Sequence, residues 1–295
     1  MRDVIVIGGS YAGMAAALQL ARARRAVLVI DAGRRRNRFA SHAHGFLGQD
    51  GVDPAVIHAT AKCQLLAYPT IRWIEGTATG LAGRKDDFRV ATDDGAAFSG
   101  RRLLLATGVA DQLPDVPGLA ERWGRTVFHC PYCHGYELDR GRIGVIATGP
   151  MSVHQAQLLP DWGEITFLTN GAVALDPDQR EALRARRVTV EDAAVARIVG
   201  DADVELSDGR VLPFAGLFIA TRADPASPLA EAAGCVLAET PMGRQIATGD
   251  DRETSVPGIF ACGDVARTPH SVSLAVGDGA WAGAQLHRSL VWPEG

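Results

Sequence analysis

The chain has 295 residues, 47% of them hydrophobic, with 33 glycines and a formal charge of −4. It is long for one compact unit and ordinary in apolar content, so one large or two medium domains with a sizeable core are expected. The small charge and dispersed basic residues exclude a nucleic-acid surface, and no apolar run approaches membrane-spanning length.

Met1-Arg2-Asp3 passes straight into the apolar run Val4-Ile5-Val6-Ile7, without the longer apolar core and cleavage site of a secretory signal. A cytoplasmic location is therefore expected. The run reads as a central parallel strand buried on both faces. Gly8-Gly9-Ser10-Tyr11-Ala12-Gly13 follows, then the helix former Met14 to Ala21. The dinucleotide fingerprint G-x-G-x-x-G is met at Gly8 and Gly13, with small Ser10 at its middle glycine. A second apolar strand, Ala26 to Ile30, ends in Asp31, close to the roughly 20-residue spacing expected of the carboxylate that grips a ribose. Strand, turn, helix, strand and acid in register are far more specific than glycines alone.

The loop beyond holds His42 and His44. They could line a site, but no third metal ligand accompanies them, and a solvated loop is the plainer reading. Arg102 to Leu105 is a further apolar strand, ending in the small-residue turn Ala106-Thr107-Gly108, and Leu113 to Gly118 is a turn-rich joint.

Cys130-Pro131-Tyr132-Cys133 comes next, flanked by His129 and His134. Two cysteines at this spacing can exchange an electron pair, one thiolate attacking and the other resolving. Pro131 suits the first turn of a helix whose N-terminal field favours thiolate at Cys130. The spacing alone also admits haem attachment, zinc and two structural thiols. Haem attachment needs export, and zinc usually needs a second cysteine pair, absent here. The other cysteines, Cys63, Cys235 and Cys262, lack partners in sequence and read as buried packing thiols.

A second strand, turn and helix start at Arg142-Ile143-Gly144-Val145-Ile146, but the fingerprint is degraded. Ala147 and Ser152 stand where glycine or alanine is expected, and the next strand, Glu164 to Thr169, ends in Asn170-Gly171. There is neither an acid for an NADH ribose nor an adjacent arginine cluster for the NADPH phosphate. Arg180, Arg184, Arg186 and Arg187 read as a solvated helix face. NADPH at this site is a lesser expectation. Near the C-terminus, Gly258 to Ala261 forms another buried strand, followed by Cys262-Gly263-Asp264 and a helix from Ser271.

The glycine turn, Ala106-Thr107-Gly108, Cys-x-x-Cys and Gly263-Asp264 occur in the order of the thioredoxin reductase-like flavoproteins, and the chain resembles that family over essentially its whole length. The resemblance implies an α/β fold of two Rossmann-like nucleotide-binding domains, the second inserted in the first. Residues 1–112 and 244–295 would form a discontinuous FAD-binding domain, and 113–243 an NAD(P)H-type domain carrying the cysteine pair. It assigns FAD to Gly8, Gly9, Ser10, Gly13, Asp31 and Asp264, together with Asn37, Ala106, Thr107, Gly108, Gly263, Ser271 and Val272.

Cys130 to Glu137, with the His-rich stretch His42 to Asp50, resembles in particular the FAD-dependent dithiol oxidases that close disulfides in small molecules such as gliotoxin and holomycin. His134 stands where ordinary reductases usually keep an acid, and His270 where they often carry an arginine. The resemblance makes Cys130 the exchanging thiol, Cys133 the flavin-facing one, and His134 the proton acceptor, ahead of His129 and Glu137. The expected substrate is a small dithiol or disulfide, or a thioredoxin-like protein, acted on by a homodimer without metal. The alternative is a pyridine-nucleotide-dependent reductase running the same cysteines in reverse.

Overall fold

A computed structural model describes residues 1–294. The first stretch forms β1 (Arg2–Ile7), α1 (Tyr11–Arg22), β2 (Val27–Asp31), α2 (Pro54–Leu66), β3 (Ile71–Glu75), β4 (Ala78–Arg84), β5 (Asp87–Thr92), β6 (Ala97–Leu105) and β7 (Val109–Gln112). The middle forms β8 (Val127–Phe128), α3 (Pro131–His134), β9 (Arg142–Ile146), α4 (Met151–Leu158), β10 (Glu164–Leu168), α5 (Pro177–Ala185), β11 (Thr189–Glu191), β12 (Val195–Val199), β13 (Asp203–Leu206), β14 (Val211–Leu212) and β15 (Gly216–Ile219). The last forms β16 (Arg222–Pro225), α6 (Leu229–Ala232), β17 (Leu237–Thr240), β18 (Gly243–Ile246), β19 (Ile259–Ala261) and α7 (Val272–Val291). These elements group into two units, one of residues 1–38, 53–110 and 223 onward, the other of residues 39–52 and 111–222. Among the described residues no helix is long and apolar enough to cross a membrane.

The first unit is built on a sheet of order β3-β2-β1-β6-β5-β4, with β19 beside β6. β1, β2, β3, β6 and β19 run parallel, and β4 and β5 return antiparallel. The two-residue period of a strand explains why uninterrupted apolar runs were needed. Val4 and Val6 enter the core shared with α1 and α7, whereas Ile5 and Ile7 enter the core on the opposite face. One charge is buried with them. Arg102 in β6 is fully enclosed and donates to Asp86 Oδ1 at 2.8 Å and to the Ser289 carbonyl at 2.9 Å. Burial acts to raise the Asp86 carboxyl, but hydrogen bonds from Arg102 and Arg101 outweigh it and hold the group below its ordinary value.

α1 and α7 pack backbone to backbone. A Cβ at Gly279 would lie 2.1 Å from the Ala12 carbonyl oxygen, and one at Gly283 2.5 Å from that of Ala16. Small residues in both helices make this approach possible, and it fixes the start of α1 against the chain entering α7.

The second unit carries an all-parallel sheet of order β11-β10-β9-β15-β8 and an antiparallel sheet β12-β13-β14. Ile143, Val145, Phe167 and Phe218 fill one face of the parallel sheet, and Ile146, Leu168, Leu217 and Ile219 the other. A tight turn at Ser207 to Arg210 joins β13 to β14. Arg184 and Arg186 are exposed ion-pairing residues, in line with a solvated face.

Two glycines of α7 provide a contrast. Gly279→Ala is expected to cost about 1–3 kcal/mol by overpacking, seen as a fall of several degrees in Tm. At Gly277 a Cβ meets nothing within 4 Å, so Gly277→Ala should be neutral or stabilise by up to about 1 kcal/mol through helix propensity. Thermal melts of the two variants side by side check both.

Candidate active site

In the first unit, the carboxyl ends of β1, β2, β6 and β19 converge. This is the edge at which open parallel sheets bind ligands. Gly8 has φ +106, and a Cβ there would sit 2.2 Å from the Ala106 carbonyl oxygen. Only glycine allows the two turns to touch. The Gly9 amide donates to Asp31 Oδ1 at 3.2 Å, tying the glycine turn to the end of β2. Ser10 is the N-cap of α1 but makes no side-chain cap bond, which leaves the first-turn amides uncapped by the chain's own side chains. Gly13 lies in the first turn of α1, against Gly8. Gly263 packs against Ala12, and its amide donates to buried Asp278 Oδ2 at 2.8 Å. Ser271 caps α7 by accepting from the Leu274 amide at 3.1 Å, and Val272 opens that helix. Thr107 and Gly108 continue the turn after Ala106.

Two of the groups at this edge, His58 and Arg36, carried no recognisable signal in the sequence, whereas Asn37 was expected here from the resemblance. The ring of His58, from α2, contacts the Gly9 carbonyl at 3.0 Å. Because a carbonyl only accepts, that ring nitrogen carries the proton. Burial lowers His58 below the ordinary imidazole value, the Gly9 backbone opposing it. Asn37 Nδ2 donates to the Tyr11 hydroxyl at 3.2 Å, while its Oδ1 is buried without a hydrogen-bond partner. Arg36 reaches Asp264 Oδ2 at 3.2 Å and His270 Nδ1 at 2.8 Å. All four contacts join segments far apart in sequence.

In the second unit, β8 leads into the cysteine pair. Cys130 is the N-cap of α3, with extended backbone, and Pro131 opens the helix as expected. α3 is a single turn of four residues, so its field at Cys130 is that of one turn and not of a long helix. The two sulfurs lie 2.7 Å apart; disulfide closure needs a side-chain movement of under about 1 Å. His134 ends the turn and stacks on Phe128, ring centroids 4.3 Å apart and planes 15° from parallel. Both of its ring nitrogens are buried, and neither makes a well-aligned hydrogen bond. Burial pushes its pKa below the ordinary value of 6.5, with His44 adding to the shift and Glu137 and the Cys130 backbone opposing it. His134 is therefore neutral at pH 7, with a lone pair to offer.

Around this loop, the His129 carbonyl accepts from Gln155 Nε2 at 2.9 Å, and the His129 ring lies 3.5 Å from the Thr221 hydroxyl. His44 is not a solvated loop residue. Its ring sits between Glu137 at 3.3 Å and Asp50 at 3.6 Å, which links the 39–52 segment to the loop after the cysteines. Tyr132 and Tyr136 are largely exposed, Tyr132 standing edge-on to Trp162. Of the other cysteines, Cys235 and Cys262 are buried as expected, but Cys63 is exposed on α2, whose outer face it occupies. Among the described residues no group of three or more His, Cys, Asp and Glu is arranged to hold a metal ion.

In the second nucleotide-type turn several polar groups are bonded within the chain itself. Ser152, fully buried, accepts from the Thr148 amide at 3.0 Å, and the Thr148 hydroxyl donates to the Ala220 carbonyl at 2.7 Å. The Ser152 and Val153 amides, at the start of α4, are bonded to the Gly149 and Pro150 carbonyls. At the end of β10, Asn170 Oδ1 accepts from the Val195 amide at 2.9 Å, and Thr169 donates to Asp192. Asp192 in turn pairs with Arg180.

Comparison with known proteins agrees with this geometry. The model of the pyridine nucleotide-disulphide oxidoreductase family matches residues 2–279. The chain is 33% identical to a thioredoxin reductase, tcpT, of Claviceps purpurea, covering 98% of this chain and 94% of that one. Among solved structures, an oxidoreductase from Agrobacterium tumefaciens superposes with a TM-score of 0.97 at 56% identity, covering 99% of each chain. HlmI superposes at 0.91 with 38% identity, covering 98% of this chain and 92% of that one. The chain belongs to the pyridine nucleotide-disulphide oxidoreductase family and is an FAD-binding oxidoreductase with the two-domain thioredoxin reductase-like fold.

Proposed function

We propose that the protein is an FAD-dependent dithiol oxidase, which closes a disulfide in a small dithiol through Cys130 and Cys133 and delivers the electrons to oxygen. The observation that carries the direction is the second nucleotide-type turn. Ser152 occupies the Thr148 amide, and the Asn170 carboxamide oxygen accepts from Val195, so the turn has one backbone donor fewer for a pyrophosphate and the strand end offers no acid to a ribose. A buried, neutral His134 beside the cysteines supports the same direction, since oxidising a thiol requires a base. The opposite reading, a pyridine-nucleotide-dependent reductase of thioredoxin-type proteins, is favoured by the retained strand, turn and helix of the second unit and by the relative's name.

The first unit fits the flavin nucleotide. The uncapped amides at Ser10 to Gly13, with the positive end of the α1 dipole, suit a pyrophosphate. Asp31 suits a ribose diol, the buried Asn37 Oδ1 is an acceptor in want of a donor, and Asp264 suits a ribityl hydroxyl. Ala106, Thr107, Gly108, Gly263, Ser271 and Val272 complete the cradle. We further propose that the chain works as a homodimer.

The reaction balances as follows. A substrate thiolate attacks Cys130 Sγ of the oxidised pair, forming a substrate–Cys130 bond and breaking the Cys130–Cys133 bond. Cys133 leaves as thiolate. The second substrate thiol gives its proton to His134 and attacks its neighbouring sulfur in the mixed disulfide. The substrate disulfide closes and Cys130 is released as thiolate. The chemistry FAD supplies when bound is acceptance of that electron pair from the cysteines and its delivery to oxygen, which becomes hydrogen peroxide. The roles of this chain are to hold the two sulfurs together, to take the proton at the His134 ring and to keep that ring neutral by burial.

Oxygen uptake and peroxide release with a small dithiol test this. Cys130→Ser and Cys133→Ser should each lower turnover by on the order of 10³-fold or more; unchanged turnover in either removes the cysteine pair from the reaction. His134→Gln should lower kcat by about 10²-fold. Because burial lowers the His134 pKa, the acid limb of activity should have its midpoint below the ordinary imidazole value of 6.5. That acid limb should vanish in His134→Gln. The same sign holds for stability: between 6.5 and the lower folded-state value the unfolded chain binds more protons, so stability falls as pH drops through that window.

A further inference from the structure

We propose that Arg36 is a positioning residue of the flavin site, setting the orientation of Asp264 and the tautomer of His270; this rests on the assignment of Asp264 to that site. One atom makes both contacts. Arg36 Nη1 carries two hydrogens, one directed to Asp264 Oδ2 at 3.2 Å and one to His270 Nδ1 at 2.8 Å. A guanidinium donates and never accepts. His270 Nδ1 is therefore the acceptor, which leaves the imidazole neutral with its proton on Nε2. Asp264 has one oxygen held by the guanidinium and the other left as an acceptor on a fixed carboxylate.

The three residues come from three segments: Arg36 follows β2, Asp264 follows β19, and His270 precedes Ser271, the N-cap of α7. All three segments lie at the carboxyl edge of the parallel sheet, and nothing in their sequence spacing ties them together. The side chains of Arg36 and Asp264 are 24% and 20% exposed, so the pair is largely enclosed at this edge yet still reached by solvent. A second observation points to a ligand. Asn37, next to Arg36, keeps Oδ1 buried with no hydrogen-bond partner while Nδ2 is held by the Tyr11 hydroxyl. Arg36 anchors the segment that carries this waiting acceptor. One guanidinium thus sets a carboxylate, an imidazole tautomer and the loop bearing an amide carbonyl.

The test is FAD titration of apoprotein, followed by flavin fluorescence, for wild type, Arg36→Met, Arg36→Lys and Arg34→Met. Arg34 is exposed and carries the same charge on the same loop, so it controls for charge alone. Arg36→Met should raise the FAD dissociation constant by about 10- to 100-fold. Arg36→Lys should fall between, since one ammonium keeps the charge without the fork, and Arg34→Met should match wild type. 15N NMR, with His270→Gln for assignment, should find the His270 proton on Nε2 in wild type and shared between the two nitrogens in Arg36→Met. Affinity within twofold of wild type in both Arg36 variants, an equal loss in Arg34→Met, or a wild-type His270 proton on Nδ1 would overturn the proposal. Should Arg36→Met not fold, the lysine variant and the wild-type tautomer still decide it. A wild-type protein that takes up no FAD at all would instead contradict the flavin reading itself.

Discussion

Direct contact between backbones, with no side chain between them, is the constraint on which the first unit depends. Gly8 meets the Ala106 carbonyl, and Gly279 and Gly283 meet the carbonyls of Ala12 and Ala16. Each contact removes the space a Cβ would need. Together they bring the first turn of α1, the turn after β6 and the chain after β19 to one sheet edge. Helix amides, Asp31, Asn37 and Asp264 can serve one ligand only because of that closeness. The interior supplies the complementary part: apolar strands buried on both faces make the edge rigid, and the enclosed Arg102, bonded to Asp86 and Ser289, ties β6 to α7.

The second unit repeats the architecture and reverses its use. Its parallel sheet, turn and helix are intact, but the turn is closed by Ser152 and the strand end by Asn170 and Thr169. There the Ser152 hydroxyl accepts from the Thr148 backbone amide. The cysteine loop of the same unit is poised for proton and electron exchange. Its sulfurs are nearly in bonding range, and His134 is kept neutral by burial against Phe128. These two features together support the proposed electron flow from thiols toward oxygen.

Much of the fold was legible in the sequence because it rests on local rules. Val4 to Ile7 and Ala26 to Ile30 are apolar runs ended by glycine and by acid, Leu103 to Leu105 ends in a small-residue turn, and Pro131 sits at the first turn of its helix. The alternation of strands with helices was enough for the α/β class. Long-range pairs left no such trace. Arg36 with Asp264 and His270, His58 with Gly9, and His44 with Glu137 join residues whose separation in sequence obeys no period. His44 looked like a solvated loop residue because its nearer partner, Glu137, lies in another segment. Cys63 looked buried because cysteines usually are, whereas its place on the outer face of α2 decides its exposure. Composition and spacing report on the neighbours along the chain; these residues are governed by neighbours across it.

The direction of electron flow is tested most directly by anaerobic mixing of FAD-loaded protein with a small dithiol and, separately, with NADPH and NADH. Dithiol oxidation predicts that the dithiol bleaches the flavin within a turnover and that neither nucleotide does. Rapid bleaching by a nucleotide, with none by dithiols, would contradict it.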